Sequence, residues 1–347
     1  MNRRSTRSDV AKIAGVSKTT VTYVLGGRSD MGISEATRDR VRSIAEELGY
    51  RPHAAAKALA SGRTSTVTVA LPIRINAHYA HVLQALERQT NAFDYHTVAS
   101  TVGHSKMADV EPDLQGLLTQ LSDGIIFVDQ PALFIPMIVK MLPADRAAVS
   151  IGVFTIPDID CVTVDIERGV RDALTHLLAG DPKRLAFFGP VWQNAGDVVP
   201  TFNAGGQPDP RIRLYVQAMQ EAGRPVEIIP GVSGSRAESM ASLRAYIADK
   251  GCPDALFCFN DEMAITAHRA LRESGLSAPE DVRLVGCDGT EEGEYMNPPL
   301  STILQPVEKM CAEAWRLMAQ RFDDPDAPPR RVTVQADFVA RASSRRG

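Results

Sequence analysis

The chain has 347 residues, of which 44% are apolar and 23% charged, enough to bury a sizeable core in two or three domains and too apolar for a disordered polymer. No run approaches the roughly 18 apolar residues of a membrane span, no secretory signal follows the basic N-terminus, and the five cysteines never fall as C-x-x-C, so a cytoplasmic protein with buried reduced thiols is expected rather than a zinc or disulfide scaffold. The net charge of −4 hides an asymmetry, since residues 1–64 hold 12 Lys and Arg against 6 Asp and Glu while the remainder holds 26 against 36: a small basic head on an acidic body, as in a nucleic-acid reader coupled to another function.

The head reads as short helices. Ser8-Asp9 is predicted to cap the first, with Val10, Ile13 and Ala14 inward, and Gly15-Val16 supplies a sharp turn. Ser17 caps a second helix whose Val21, Val24 and Leu25 share one face before Gly26-Gly27 ends it. Lys18, Thr19, Thr22 and Tyr23 then point the other way, where a recognition helix meets base edges in a major groove or, on spacing alone, where a generic helical hairpin shows a solvated face. Ser34 caps a third helix carrying Val41, Ile44, Ala45 and Leu48 at helical spacing, with Gly49 after it. Pro52 opens an alanine-rich piece over 53–61, marginal as an isolated helix, and 62–66 forms a flexible junction.

From Val67 onward, apolar runs suited to buried parallel strands (67–71, 124–128, 147–151, 161–164, 185–188, 255–259, 283–287) alternate with amphipathic helical stretches (79–91, 169–178, 212–222, 239–249, 262–274). Such alternation predicts an α/β body, with two parallel sheets rather than one at this length and ligands at the strand C-terminal ends, in the cleft between lobes. No G-x-G-x-x-G, Walker loop or G-x-S-x-G is present, and His78-x-x-His81 lacks the context of a metal site. Neither catalysis nor a cofactor is expected.

The segment Asp9-Val10-Ala11, Ala14-Gly15-Val16-Ser17, Thr20-Val21-Thr22 and Val24-Leu25 resembles the opening of the LacI/GalR (lactose-repressor type) family of bacterial regulators. The resemblance continues through Thr37-Arg38-Asp39-Arg40-Val41 and Ala45 to Pro52. In the body, Ser122 to Ile126, Phe259 to Ala264, Pro279 to Val282, Gly286-Cys287-Asp288, Pro298 to Ile303 and Phe338 to Ser344 follow in family order. It implies a helical helix-turn-helix head at 1–51, a hinge helix and linker at 52–64, and an effector-binding, dimerising body at 65–347 like that of periplasmic sugar-binding proteins. Lobe 1 would comprise about 65–164 and 306–333, and lobe 2 about 165–305 and 334–345.

On DNA, the resemblance assigns contacts to Ser17, Lys18, Thr19, Thr20, Thr22 and Tyr23, and to Ala56, Lys57 and Leu59 of the hinge, with Leu59 as the minor-groove wedge. Thr22-Tyr23 departs from the Ser-Arg common in the family. For the effector it assigns Asn76, Arg211, Asn260, Asp288 and Gln305, a set whose guanidinium, carboxylate and amides suit adjacent hydroxyls or a ligand carboxylate. His78-Tyr79 stands where two aromatics are frequent, Leu214 where glycine is usual, and Gly289 where a second Asp is common. Trp192, in a stretch without family counterpart, is a candidate for stacking on a sugar face, with local packing as the alternative.

The expected function is a ligand-responsive transcriptional regulator, with the resemblance implying repression that is relieved, or sometimes enabled, by the small molecule. It would bind a near-palindromic operator as a homodimer, dimeric rather than tetrameric because no leucine heptad follows Arg341. The expected effector is a sugar or sugar acid, with a purine or nucleoside as the runner-up. The rival reading is a sugar-binding protein without a DNA role, which predicts a signal peptide and no basic head.

Overall fold

The computed structural model describes residues 5–26, 31–50, 63–102, 110–131, 134–194, 197–200, 209–232 and 235–345, with the backbone alone in 191–194 and 197–200. It divides into residues 1–66 with 121–123 and residues 67–120 with 124–347. In the first unit, α1 (Arg7–Ala14), α2 (Lys18–Leu25) and α3 (Glu35–Glu47) enclose a small core of Val10, Ala11, Ala14, Val21, Val24, Val41 and Ala45. The turn after α1 requires Gly15, whose φ of 67° is left-handed.

Two details of the first helix differ from expectation. The cap is Thr6 rather than Ser8-Asp9: its hydroxyl accepts from the Asp9 amide while the Asp9 carboxylate accepts from the Thr6 amide, a reciprocal capping box. Ile13 is 58% exposed. Val10, Ala11 and Ala14 lie three and four residues apart on one helical face, and Ile13 falls outside it. Ser17 caps α2 as expected, accepting from the Thr20 amide at 3.0 Å.

The body begins with β1 (Thr66–Pro72), α4 (Ala77–Asn91), β2 (His96–Val102), α5 (Val110–Leu118), β3 (Gly124–Val128), α6 (Ile135–Met141), β4 (Ala147–Gly152) and β5 (Asp160–Asp165). It continues through α7 (Glu167–Ala179), β6 (Leu185–Asn194), β7 (Asp197–Pro200), α8 (Pro210–Glu221), β8 (Glu227–Gly231), α9 (Arg236–Lys250), β9 (Ala255–Cys258), α10 (Asp261–Glu273), β10 (Arg283–Asp288), α11 (Glu291–Glu294) and β11 (Ser301–Leu304). The chain then returns as α12 (Val307–Asp323), β12 (Arg331–Gln335) and β13 (Asp337–Val339).

One sheet has the order β12-β5-β4-β3-β1-β2; the other runs β13-β11-β10-β9-β6-β7, with β8 also on β6. Pairing within the first core is parallel (Val69 beside Ile126, Ile126 beside Val149). In the second it is parallel through β8, β6, β9, β10 and β11, with antiparallel edges at β7 and β13. The strand interiors are mainly apolar runs, as sheets covered on both faces require; β3 is apolar and buried throughout, while β10 is buried throughout, including the charged Arg283 and Asp288 at its ends. The chain passes between the sheets after β5, after β11 and after β12, and two of these crossings are tied together where the Ala336 amide donates to the Asp165 carbonyl at 2.9 Å. Cys161, Cys258, Cys287 and Cys311 are buried free thiols, whereas Cys252 is only partly buried. No helix among the described residues is long and apolar enough to cross a membrane.

Candidate functional site

In the head, α2 buries Val21 and Val24 and therefore turns Lys18 and Thr19 to solvent, with Thr22 and Tyr23 half-buried beside them. Its first turn carries no acidic residue, which leaves the positive end of the helix open to an anionic backbone. Ser17 and Thr20 are engaged with each other, their hydroxyl oxygens 2.9 Å apart, so their first task is to hold the helix start. The Thr22 hydroxyl donates to the Lys18 carbonyl at 3.0 Å and accepts from the Arg7 guanidinium at 3.0 Å. Arg7, at the start of α1, was not expected on this face. Ala56, Lys57 and Leu59 lie outside the described residues.

In the body, residues at strand C-terminal ends of the two sheets converge. From the first lobe, Asn76 caps α4 by accepting from the Tyr79 amide at 3.2 Å, which fixes His78 and Tyr79 in the first turn with their rings edge to face. Asp129 follows β3 in a left-handed conformation, φ 40°, its Oδ1 accepting from the Val153 amide at 2.9 Å and its Oδ2 lying 3.9 Å from His78 Nε2. Gly152 is needed opposite: a Cβ there would come within 1.9 Å of Asp129 Oδ1.

From the second lobe, Asp209 caps α8 and holds Arg211, whose Nε donates to Oδ1 at 2.8 Å and Nη2 to Oδ2 at 2.6 Å. Arg211 Nη1 donates to the Phe259 carbonyl at 3.2 Å, and the guanidinium carbon lies 3.7 Å from the centre of the Phe259 ring, a cation–π contact. Asn260 caps α10 through the Met263 amide at 2.9 Å. Asp288 ends β10 at φ 135° and accepts from Gln305 Nε2 at 2.9 Å. Behind it the buried Asp261 carboxylate accepts from the Thr302 hydroxyl at 2.6 Å and the Thr290 amide at 2.7 Å, which fixes the turn after Asp288.

The electrostatics couple the two sides. Burial pushes Asp129 up to about 6, opposed by the Val153 amide and the Arg211 charge. Burial and then Asp261 raise Asp288 well above the carboxylate range, with Arg211 opposing and Asp129 adding to the rise. Burial lowers His78 to about 4, helped by His81 and Arg211, so the imidazole is neutral near pH 7. Tyr79 is raised by burial and by Asp129 and Asp288. Burial works against the Arg211 charge, but Asp209 more than offsets it. His78 Nε2 and Gln305 Oε1, one on each lobe, are buried without a hydrogen-bond partner, the state of groups that await a ligand or water.

The structure thus brings Asn76, His78, Tyr79, Arg211, Asn260, Asp288 and Gln305 to one region of the body. Trp192 lies on β6, its backbone opposite Val199 of β7. Leu214, at the position where glycine is usual in the resembled family, is buried in α8. Asp129, Asp209, Phe259 and Asp261 were missed as site residues. Asp209-Pro210 is a legible helix start, a capping acid before proline, and Asp129 directly follows a predicted strand; the ring of Phe259 against Arg211 has no local signal.

Residues 6–53 match the family of bacterial regulatory proteins of the lacI type, and residues 174–344 match a periplasmic binding protein-like domain. The HTH-type transcriptional repressor PurR of Aliivibrio fischeri (strain ATCC 700601 / ES114) is 29% identical, over 98% of both chains. Among solved structures, a complex of the transcriptional regulator CelR with cellobiose is 26% identical with a TM-score of 0.63, covering 98% of this chain and 100% of that one. The lac repressor dimer bound to operator and the anti-inducer ONPF shares the fold at 24% identity and a TM-score of 0.76, covering 98% and 99%.

Proposed function

We propose, since the chain belongs to the lacI family of bacterial regulatory proteins and joins a helix-turn-helix DNA-binding domain to an effector-binding body, that it is a repressor controlled by a neutral, polyhydroxylated small molecule. The observation that carries the effector reading is that Arg211 is clasped through Nε and Nη2 by Asp209, in a site that also holds Asp129 beside His78 and Asp288 bonded to Gln305. Arg211 is already clasped by Asp209 and Asp129, pushed up to about 6, is mostly ionised near pH 7, so an anionic ligand such as a sugar acid would meet no uncompensated positive charge. A sugar instead supplies hydroxyl donors for Asp129 and for Gln305 Oε1, and acceptors for the remaining Arg211 N–H groups. The cellobiose bound by the CelR relative is a ligand of this chemistry.

The operator is proposed to be near-palindromic, read by a homodimer as the lac repressor dimer is on its operator. The effector controls DNA affinity only by binding the competent and incompetent lobe arrangements unequally. The test is a thermal-shift panel of neutral mono- and disaccharides, aldonates, sugar phosphates and purines, followed by operator titration with each ligand that binds. Neutral sugars are expected to raise the melting temperature and to change operator affinity. Stabilisation by aldonates or purines alone would overturn the effector reading, and no selection of any DNA sequence by the purified protein would overturn the regulator.

A further inference from the structure

We propose that Arg7 reads a guanine of the operator from the first helix, with Thr22 as the residue that positions it; this rests on the head being the operator-binding domain. Thr22 stands on the polar face of α2, one turn from Lys18. Its single hydroxyl proton is engaged at the Lys18 carbonyl, 3.0 Å away, so Thr22 has no proton left to donate to a base. What its oxygen does is accept from Arg7 Nη1 at 3.0 Å, holding a guanidinium from α1 against the face of α2. Arg7 has five N–H donors, and the rest of its fork can offer two parallel bonds to guanine O6 and N7, the commonest specific contact in the major groove.

The root of this side chain is fixed as well as its tip. The Thr6 and Asp9 capping box sets the start of α1. Asp9, the acidic residue of that turn, is committed to the Thr6 amide at 2.8 Å and the Thr6 hydroxyl at 2.6 Å. Val10, Ala14 and Val21 share one buried core, which sets α1 against α2. A phosphate-neutralising arginine needs no such tether, because a charge contact tolerates many geometries, whereas a bidentate base contact needs the fork pre-placed.

The experiment is selection of bound duplexes from a randomised DNA pool by the full-length protein and by Arg7→Ala, Arg7→Lys and Thr22→Val, followed by titration of the selected site and its single-pair variants. Arg7 is exposed, so folding is not at stake. The native protein is expected to select a G·C pair at one symmetry-related pair of positions. Arg7→Ala and Arg7→Lys should each lose preference there, by about 5- to 150-fold per half-site, while Arg7→Lys keeps the affinity for mixed-sequence DNA. Thr22→Val should relax the same positions and no others. If Arg7→Ala selects the native motif and merely binds every sequence more weakly, with a shallower salt dependence, Arg7 touches phosphate and the inference falls while the regulator stands. If the native protein selects no motif, the regulator reading falls and the inference with it.

Discussion

Asp209 closes on Arg211 twice over, its carboxylate accepting Nε at 2.8 Å and Nη2 at 2.6 Å while Oδ1 also accepts the Arg211 amide at 2.9 Å. Both side chains are nearly inaccessible, 9% and 1% exposed for Arg211 and Asp209. Removing one partner of such a pair strands a buried charge, at a cost of about 3–5 kcal/mol. Asp209→Ala is therefore expected to lower the stability of the body by that amount in urea unfolding, and Asp209→Leu with Arg211→Met to recover much of it. A loss under 1 kcal/mol for Asp209→Ala would mean that water screens the pair.

The pH dependence of stability is expected to carry two opposed slopes from neighbouring groups. Burial raises Asp129 from its ordinary 3.8 to about 6, so the folded state binds this proton more tightly than the unfolded chain. Its contribution is full below about pH 4 and is lost as pH rises through 6. Burial lowers His78 from 6.5 to about 4, so here the unfolded chain binds the proton more tightly and stability grows from pH 4 to 6.5. Relative to the native protein, Asp129→Asn should gain stability progressively from pH 4 to 6 and hold the gain at pH 7. His78→Gln should gain most near pH 4 and lose that gain by pH 6.5. Unfolding midpoints across pH 4–8 give both differences, and a flat difference for either variant would contradict the burial of that group.

On the proposed reading of a sugar effector, Asp288→Ala is expected to abolish the effector's influence on operator binding while leaving operator affinity without it nearly intact. Asp288 accepts from Gln305 and lies within electrostatic reach of Arg211 and Asp129. Calorimetry with a sugar identified by thermal shift checks the first half and fluorescence anisotropy on operator DNA the second. Unchanged sugar affinity would remove Asp288 from the site.

Leu59→Ala is expected to weaken binding to the selected operator far more than binding to mixed-sequence DNA. A minor-groove wedge offsets an unstacking cost of a few kcal/mol only where the kinked duplex gains contacts in return. Non-specific binding rests on phosphate charge, which this change leaves alone. Equal losses on the two DNAs would exclude the wedge.

The sequence by itself determined the head, the α/β class of the body and the family, because these rest on local signals. The cap at Ser17, the glycine at 15, the buried runs at 124–128 and 283–287 and the ordered motifs each involve neighbours along the chain. Helix α12 was missed even though its signal is local: Val307, Met310, Cys311, Ala314, Trp315, Leu317 and Met318, all buried, recur at the three- and four-residue spacing of an amphipathic helix. Elsewhere the sequence failed where a residue's neighbours are distant. Ile13 looked like core and is not, because the face buried by α1 was decided by α2 and α3. In the body, the resemblance named Arg211 and Asp288 as candidates but gave neither the Asp209 clasp, nor the cost of burying Asp129, nor the Phe259 ring under the guanidinium. Those follow from desolvation and Coulomb interactions between segments far apart in the chain, and only folding brings them within range.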